Sequence, residues 1–362
     1  MDIRWIGTIA LHPVNRYMQA QTKVVFSRAM ERTGILGLLR RVISTHNGLI
    51  LALHRVLPSE ERSLCYNPHV VLSEPTFISL LQFLRQDYQV VHLQDLLANP
   101  SGSNGRPKVA ITFDDGWEDN YRIAFTHLLT YQIPATIFVC TELLDTTGVL
   151  PEERFARLWN QCASRSCESS LADDLNHWGI GKSKNLHMGP SQQYWAQELK
   201  RMPLDARLLL LDHLEQRYEI SAVTTRRFLR WEELRTMMHT DLIRLGSHTS
   251  RHATLSSEAD RDIRRELEDS RASLWEHTGI VPEILAYPNG MHNRRVLDLV
   301  RSVGFKAALA THPGLVNRHS NPLSISRISI DDTTVSNADL QFSPSQTSVY
   351  FLNSWIRSAA SF

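Results

Sequence analysis

The sequence has few cysteines, no long apolar run and almost no excess of charge of either sign. Its 362 residues include four cysteines, Cys65, Cys140, Cys162 and Cys167, whose spacing matches neither a zinc-binding nor a redox motif. This argues against a disulfide-stapled fold and favours free thiols in a reducing compartment. With 39 basic and 38 acidic residues, the net charge is +1, so the chain as a whole gives no electrostatic argument for nucleic acid as a partner.

No stretch of the sequence approaches the roughly 18 to 20 apolar residues that a transmembrane helix needs. The first residues, MDIRWIGTIALHPVNRYM, do not resemble a secretory signal, because His12 and Pro13 break their short apolar run. We therefore expect a cytoplasmic protein. The basic segment TKVVFSRAMERTGILGLLRRVI has helix-spaced apolar residues. It would either make a peripheral contact with a membrane surface or, as we expect, pack against the domain.

The sequence does contain a regular alternation of short apolar strands and amphipathic helices. Strands are predicted at LILAL, YQVVHL, KVAITF, ATIFVC, DLIRLGS, EILAY, FKAALAT and LSISRISI. Between them, a helix is predicted over 118–132, with Glu118 and Asp119 as charges at its start, and a longer helix is predicted with Ser256 or Ser257 as its cap. This alternation predicts a mainly parallel sheet, either open or closed into a barrel.

The alternation stops between about residues 150 and 230, where the sequence is polar and helical in pattern and has no strand signal. We interpret this stretch as a helical insertion near one mouth of the scaffold, where insertions often shape substrate access. The predicted organisation is a basic, helical N-terminal extension over 1–48, a main α/β domain over 49–330 that contains the insertion, and a C-terminal tail over 331–362 with no clear pattern.

Three of the predicted strands end in polar motifs, TFDDG, GSHTSRH and YPNG. Because the carboxyl ends of parallel strands lie at one edge of a sheet, Asp114 and Asp115 are expected to face the same region as His248 and His252. Two histidines four residues apart and one carboxylate form a three-ligand site that suits zinc or a neighbouring metal. The second aspartate would then be free to act as a general base. Each motif alone is weak, but together they predict a metal-dependent catalytic site.

The three motifs, in this order and on this scaffold, resemble those of the polysaccharide deacetylases with a NodB-like domain. The resemblance extends from about LALHRVLP to SRISI. It implies an α/β fold, a distorted (β/α) barrel, and metal-dependent removal of acetyl groups from N-acetylated sugars. The form AYPNG of the third motif resembles the branch that acts on bacterial surface polysaccharides, which implies a role in exopolysaccharide biosynthesis.

Roles can be carried over from the family by position in the first two motifs. Asp114 is similar to the catalytic base. Asp115, His248 and His252 resemble the three residues that hold the divalent metal ion, for which we expect zinc. Thr249, within the histidine motif, is expected to order the histidine loop through hydrogen bonds.

The later motifs depart from the family pattern. Ala286 stands where the family has an arginine, and Asn289 stands where it has an aromatic residue. The backbone N–H of Asn289 could still stabilise an oxyanion, because that role needs no side chain. The family's LxxH motif, which supplies a general acid, has no clear match. His312, in ATHPG, and His54, at the end of the first strand, are the two candidates for this role.

These features together predict hydrolysis of N-acetyl groups on sugars of a polysaccharide or its glycan precursor, giving acetate and a free amino sugar. One alternative is a deacylase of the same fold that acts on a small-molecule or lipid-linked amino sugar. Another is a carbohydrate-binding protein that has lost catalysis. The absent arginine favours this last alternative, whereas the intact aspartate pair and the two histidines oppose it.

Overall fold

The structure of the chain is a computed structural model, which describes residues 33–62, 65, 67–181, 191–337 and 339–359. Most of the predicted N-terminal extension, including the start of its basic segment, lies outside the described residues. The described part of that segment contains the helix Ile35–Ser44, whose Leu36 and Ile43 are buried, whereas Leu38 is 63% exposed. The expected packing of this helix on the domain is therefore observed. No helix in the described part of the chain is long and apolar enough to cross a membrane.

A parallel sheet forms the centre of the fold. Its strands are β1 (Gly48–Leu53), β4 (Gln89–Val90), β5 (Lys108–Phe113), β6 (Ala135–Val139), β7 (Ile243–Ser247), β8 (Ile284–Ala286), β9 (Ala307–Leu309) and β10 (Ile328–Ser329). The order along the sheet is β10-β1-β5-β6-β7-β8-β9, and β4 pairs with the start of β5. A separate parallel pair is formed by β2 (Arg55–Leu57) and β3 (Val71–Ser73). All six residues of β1 are buried, as expected for a parallel sheet that is covered on both faces.

The sheet curls back towards its first strand. Leu309 of β9 bridges to Ile325, and the chain then continues into β10, which pairs with β1. The curled sheet and the helices around it form a distorted (β/α) barrel, so the predicted fold class is confirmed. The carboxyl ends of its strands meet at one mouth of the barrel, as required for the predicted site.

The helices cover the outside of the sheet and fill the connections between strands. They are Ile35–Ser44, Ser59–Arg62, Glu74–Asp87, Leu93–Ala98, Phe125–Tyr131, Pro151–Ser164, Glu168–His177, Gln192–Leu199, Leu204–Arg217, Trp231–Met238, Asp260–Thr278, Arg294–Val303, Asp332–Val335 and Pro344–Ala359. A π-helical turn, Asn120–Ala124, precedes Phe125–Tyr131, and short 3₁₀ turns are Pro68–Val70, Thr141–Leu143, Leu255–Ser257 and Pro288–Gly290.

One local prediction about a helix start is wrong, and another omits the contacts of its residue. Ser256 and Ser257 do not cap the long helix, because they lie in a preceding 3₁₀ turn, and its N-cap is Ala259. Asp119 does lie at a helix start, as the N-cap of the π-helical turn Asn120–Ala124, but only 1% of it is exposed. Its carboxylate instead accepts hydrogen bonds from the Val56 N–H at 2.8 Å and from Arg55 at 2.9 Å, which ties this turn to β2.

The described residues of the region that was predicted to be an insertion, 150–181 and 191–230, form four helices, which share an apolar cluster of their own. The cluster is formed mainly by Phe155, Leu158, Leu171, Leu175, Trp195, Leu210, Leu211 and Leu214. The strands that flank the region in the chain, β6 and β7, pair directly over five residues. The helices therefore add a unit to the mouth of the barrel without interrupting its sheet.

The C-terminal region, for which no element was predicted, contains the helix Pro344–Ala359. Phe351 of this helix is buried and its ring lies 5.8 Å from that of Tyr88, in an edge-on contact. Ile43, from the helix Ile35–Ser44, belongs to the same apolar cluster. The two ends of the described chain therefore pack beside each other on the outside of the sheet.

Candidate metal and catalytic site

The mouth of the barrel contains a cavity of about 260 Å³. The strand ends of β1, β5, β7, β8 and β9 contribute to its wall, and so do two segments of the helical insertion. The residues that line it are His54, Arg55, Cys65, Asn67, Val70, Asp114, Asp115, Trp117, Leu150, Glu152, Glu153, Lys200, His248, His252, Tyr287, Asn289 and Thr311. The predicted convergence of the three polar motifs on one edge of the sheet is therefore observed.

Asp115, His248 and His252 are buried and aim one atom each at a common point. Asp115 Oδ1 lies 3.2 Å from His248 Nε2 and 3.5 Å from His252 Nε2, and the three donor atoms lie within 4.8 Å of one another. Asp115 Oδ1 has no hydrogen-bond partner among the described residues. A buried carboxylate oxygen without a partner is costly, and a cation between these atoms would remove that cost. The set of one oxygen and two imidazole nitrogens fits a zinc-like ion.

The hydrogen bonds around His248 and Asp115 leave the inward atoms free for a metal. His248 Nδ1 lies 2.8 Å from the Ala286 carbonyl oxygen, which can only accept, so Nδ1 carries the proton and the Nε2 lone pair points inward. Trp117 Nε1 donates to Asp115 Oδ2 at 2.8 Å, which leaves Oδ1 for the metal. Burial alone would raise the pKa of Asp115, but the neighbouring imidazoles of His248 and His252 lower it below its ordinary value.

The backbone is strained where it presents these ligands. Asp115, Thr249 and His252 have φ values of 73°, 67° and 63°, in the left-handed region that non-glycine residues seldom occupy. The Thr249 hydroxyl accepts a hydrogen bond from the His252 N–H at 3.1 Å, the kind of ordering contact that the resemblance implied. Such outliers are held in place by their surroundings and are concentrated at functional sites.

Asp114 lies beside the metal-ligand set and has a different partner. Arg327 binds its carboxylate in a bidentate ion pair, with both N–O distances 2.7 Å, and both side chains are almost fully buried. The guanidinium also donates to the Ala310 carbonyl at 3.0 Å and to the Thr112 hydroxyl at 3.2 Å. Burial would raise the pKa of Asp114, but the charge of Arg327 lowers it below its ordinary value. Asp114 is therefore an ionised carboxylate in a fixed orientation.

The family model described as polysaccharide deacetylase matches residues 101–308, which is more than half of the chain. The chain belongs to the polysaccharide deacetylase family. As a member, it is an enzyme of the carbohydrate N-deacetylase class. A comparison with curated proteins found no match.

Solved structures of low sequence identity share the fold of this deacetylase. The Streptococcus pyogenes deacetylase PplD, in complex with acetate, is 17% identical, with 84% of this chain and 98% of that chain covered and a TM-score of 0.53. IcaB from Ammonifex degensii is 19% identical, with 85% and 98% covered and a TM-score of 0.52. A de-N-acetylase from Aggregatibacter actinomycetemcomitans is 16% identical, with 84% and 99% covered and a TM-score of 0.52.

The two candidate general acids of the deacetylase lie in different surroundings. His54 lines the cavity, and burial lowers the pKa of its imidazole, although Asp115 and Asp114 oppose this effect. His312 is exposed and lies outside the cavity lining, with its ring 6.2 Å from that of His292. Asn289, the candidate for the oxyanion, does line the cavity, with φ 58°. The geometry therefore brings His54 and Asn289 to the site and leaves His312 at the surface.

Three residues of the site were not predicted from the sequence, namely Arg327, Trp117 and Glu152. Arg327 did have a detectable signal, because it interrupts the apolar pattern of LSISRISI, and a charge inside a strand requires a buried partner. Trp117 follows the aspartate motif directly, which placed it near the site without indicating its hydrogen bond to Asp115. Glu152 looks like an ordinary acidic residue in the first turn of a helix.

Proposed function

We propose that this deacetylase is a metal-dependent hydrolase that removes N-acetyl groups from sugars of a polysaccharide or its glycan precursor, releasing acetate and a free amino sugar. The observation that carries the proposal is that two adjacent aspartates have different partners. Asp115 faces His248 and His252, whereas Asp114 is held apart from them by Arg327. Zinc is the proposed ion, and biosynthesis of an exopolysaccharide is the proposed context.

Asp115, His248 and His252 would hold the ion. When bound, a zinc ion acts as a Lewis acid that lowers the pKa of a water molecule and polarises a carbonyl group. Asp114, fixed by Arg327 and ionised, accepts the proton of the attacking water. The backbone N–H of Asn289 is the proposed donor to the oxyanion that forms from the acetyl carbonyl. His54, or the protonated Asp114, returns a proton to the amine of the sugar as it leaves.

The cavity suits a short acyl group on a sugar ring. Its volume of about 260 Å³ lies below the range of roughly 300–1,000 Å³ that is typical of pockets for larger ligands. Trp117 and Tyr287 give it flat apolar walls, while charged, polar and smaller apolar side chains form the rest. Because Asp114 keeps an arginine partner despite Ala286, the absent arginine of the third motif no longer favours a non-catalytic protein.

The function can be tested by measuring acetate release from defined N-acetylated glycans, both polymers and monomers, with and without a chelator. We expect release from a polymer or oligomer, loss of release after chelation, and recovery when zinc is restored. Release that a chelator does not affect would contradict the metal dependence. Release from monomers alone would favour the alternative of a small-molecule deacylase.

Replacing Arg327 with lysine is expected to slow acetate release by about ten- to a hundredfold, because misplacement of a reacting group costs rates of this order. Lysine keeps the positive charge, so Asp114 is not left unpaired, but it cannot make the bidentate contact. Zinc content should stay normal. In an Asp114→Asn background, Arg327→Lys should slow acetate release little further, because the residue that Arg327 positions has already been replaced.

A matched control for this variant is Arg157→Lys. Arg157 is a buried arginine of the insertion that donates to the Ser221 carbonyl at 2.7 Å and does not line the cavity. Its replacement should change the rate by no more than about twofold. A fully additive double variant of Asp114 and Arg327 would refute the proposed positioning of the base.

The two candidate acids can be separated by single replacements. Replacing His54 with alanine should lower the rate by about tenfold or more, because His54 lines the cavity and proton transfer is worth roughly 10² or more. His312→Ala should leave the rate within about twofold of the parent, because the exposed ring lies outside the cavity. Rates of acetate release and zinc content are the measurements. The reverse ranking would assign the acid to His312.

A further inference from the structure

Glu152, in the first turn of the first helix of the insertion, contacts one of the three candidate metal ligands. Its Oε2 lies 3.3 Å from Nδ1 of His252, the ring nitrogen that faces away from the metal position. Its Oε1 accepts hydrogen bonds from Arg207 and from the Asn289 side chain, both at 3.0 Å. Glu152 Oε2 and His252 Nδ1 are both buried, and neither has a hydrogen-bond partner among the described residues. The two atoms are therefore left for each other.

The position of Glu152 is fixed from the side of the insertion. Arg207, on the helix Leu204–Arg217, is 1% exposed, and a buried guanidinium needs a carboxylate partner. The start of the same helix also contacts the segment that follows His248. The Leu204 N–H donates to Glu258 at 2.7 Å, and Arg251 binds Asp205 at 2.8 Å. The insertion therefore contacts this segment at several points.

We propose that Glu152 is a positioning residue for the metal, through which the helical insertion sets the metal affinity of the barrel. The proposal rests on the metal site of the proposed function. With Nε2 as the ligand atom, Nδ1 of His252 carries the proton, and this N–H faces the Glu152 carboxylate at 3.3 Å. A carboxylate in this place fixes the ring and makes the other nitrogen a stronger ligand, and its loss typically costs 10- to 100-fold in metal affinity.

The neighbouring Glu153 shows that a first-turn charge alone does not explain this contact. Both glutamates lie in the first turn of the helix Pro151–Ser164 and both line the cavity. Glu153, however, pairs with Arg227 and not with a metal ligand. A general electrostatic effect of the helix start would act on both residues alike, whereas positioning of His252 needs Glu152 only. Glu153 is therefore a matched control.

The test is zinc affinity, measured without substrate by competition with a chromogenic chelator. Glu152→Gln should weaken zinc binding by about tenfold or more, because glutamine keeps the shape but not the charge. Glu153→Gln should stay within about twofold of the parent, since it contacts no ligand. Equal affinity in Glu152→Gln and the parent would overturn the proposal, and so would equal losses in the two variants.

A second measurement distinguishes weaker zinc binding from a loss of stability, because Glu152→Gln also removes the charge that pairs with the buried Arg207. Zinc stabilises the folded state according to its affinity, so the rise in Tm on adding zinc should be smaller in Glu152→Gln even if the metal-free variant melts earlier. An unchanged rise would overturn the proposal. A parent protein that binds no divalent ion would overturn the proposed function as well, whereas a zinc-binding parent and an unaffected Glu152→Gln would overturn this proposal alone.

Discussion

Replacing His248 with alanine is expected to abolish stoichiometric zinc binding and acetate release while leaving a folded protein. The imidazole is one of three donors, the others being Asp115 Oδ1 and His252, and two donors hold a zinc ion far less tightly than three. The barrel should stay folded because its strands pair through their backbones. The ring of His248 contributes a hydrogen bond to the Ala286 carbonyl, but the pairing of the strands does not depend on it. Metal content by mass spectrometry, acetate release and Tm are the measurements.

His127→Ala is the control for removal of a histidine. His127 also pairs with a carboxylate, since its Nε2 lies 2.7 Å from Glu74 Oε1, but it belongs to the outer helix Phe125–Tyr131. Zinc content and rate should stay within about twofold of the parent, as for most changes away from a site. His252→Ala should behave like His248→Ala. Full zinc occupancy in His248→Ala would show that the metal is bound elsewhere.

The convergence of Asp115, His248 and His252 could be predicted because two local rules are sufficient for it. Each ligand motif follows an apolar run, so its residues fall at a strand end, and parallel strands place such ends at one edge. Asp115 follows β5, and His248 and His252 follow β7. A single strand, β6, lies between β5 and β7 in the sheet. Because the two histidines are four residues apart, one loop after β7 carries both imidazoles. No knowledge of distant contacts was needed.

The partners that orient the site could not be predicted, because they depend on how distant parts of the chain pack. Arg327 and Asp114 are 213 residues apart, and they meet because β10 pairs with β1, which pairs with β5. That order is a property of the curled sheet and is not encoded in any local pattern. The contact of Glu152 with His252 likewise depends on the docking of a whole helical unit.

The departure at Ala286 does not leave Asp114 without an arginine partner. Ala286 ends β8 and contributes its carbonyl oxygen to His248, a role that needs no side chain. The arginine that pairs with Asp114, the proposed base, comes from the segment before β10, with its guanidinium fully buried. The third motif by itself lacks an arginine. In the folded barrel, Arg327 reaches Asp114 from the side of β10, opposite to the side of β8.

The adjacent aspartates should give different phenotypes when each is replaced with asparagine. Asp115→Asn weakens a metal ligand and should lower zinc affinity and rate together. Asp114→Asn removes only the base, because an amide cannot take the proton, and a general base is typically worth about 10²- to 10⁴-fold. We therefore expect near-normal zinc content and a loss of at least about a hundredfold in kcat.

Asp114→Asn leaves Arg327 with a neutral partner, so its stability must be measured beside its activity. The amide oxygen of asparagine can still accept one hydrogen bond from the guanidinium, but the buried charge loses its counterion, which can cost up to about 3–5 kcal/mol. Assays well below the measured Tm, with zinc content and binding of an N-acetylated oligosaccharide determined on the same sample, separate a lost base from a lost fold. If Asp114→Asn loses zinc while Asp115→Asn keeps it, the two roles are reversed. If neither variant slows acetate release, hydrolysis takes place outside this cavity.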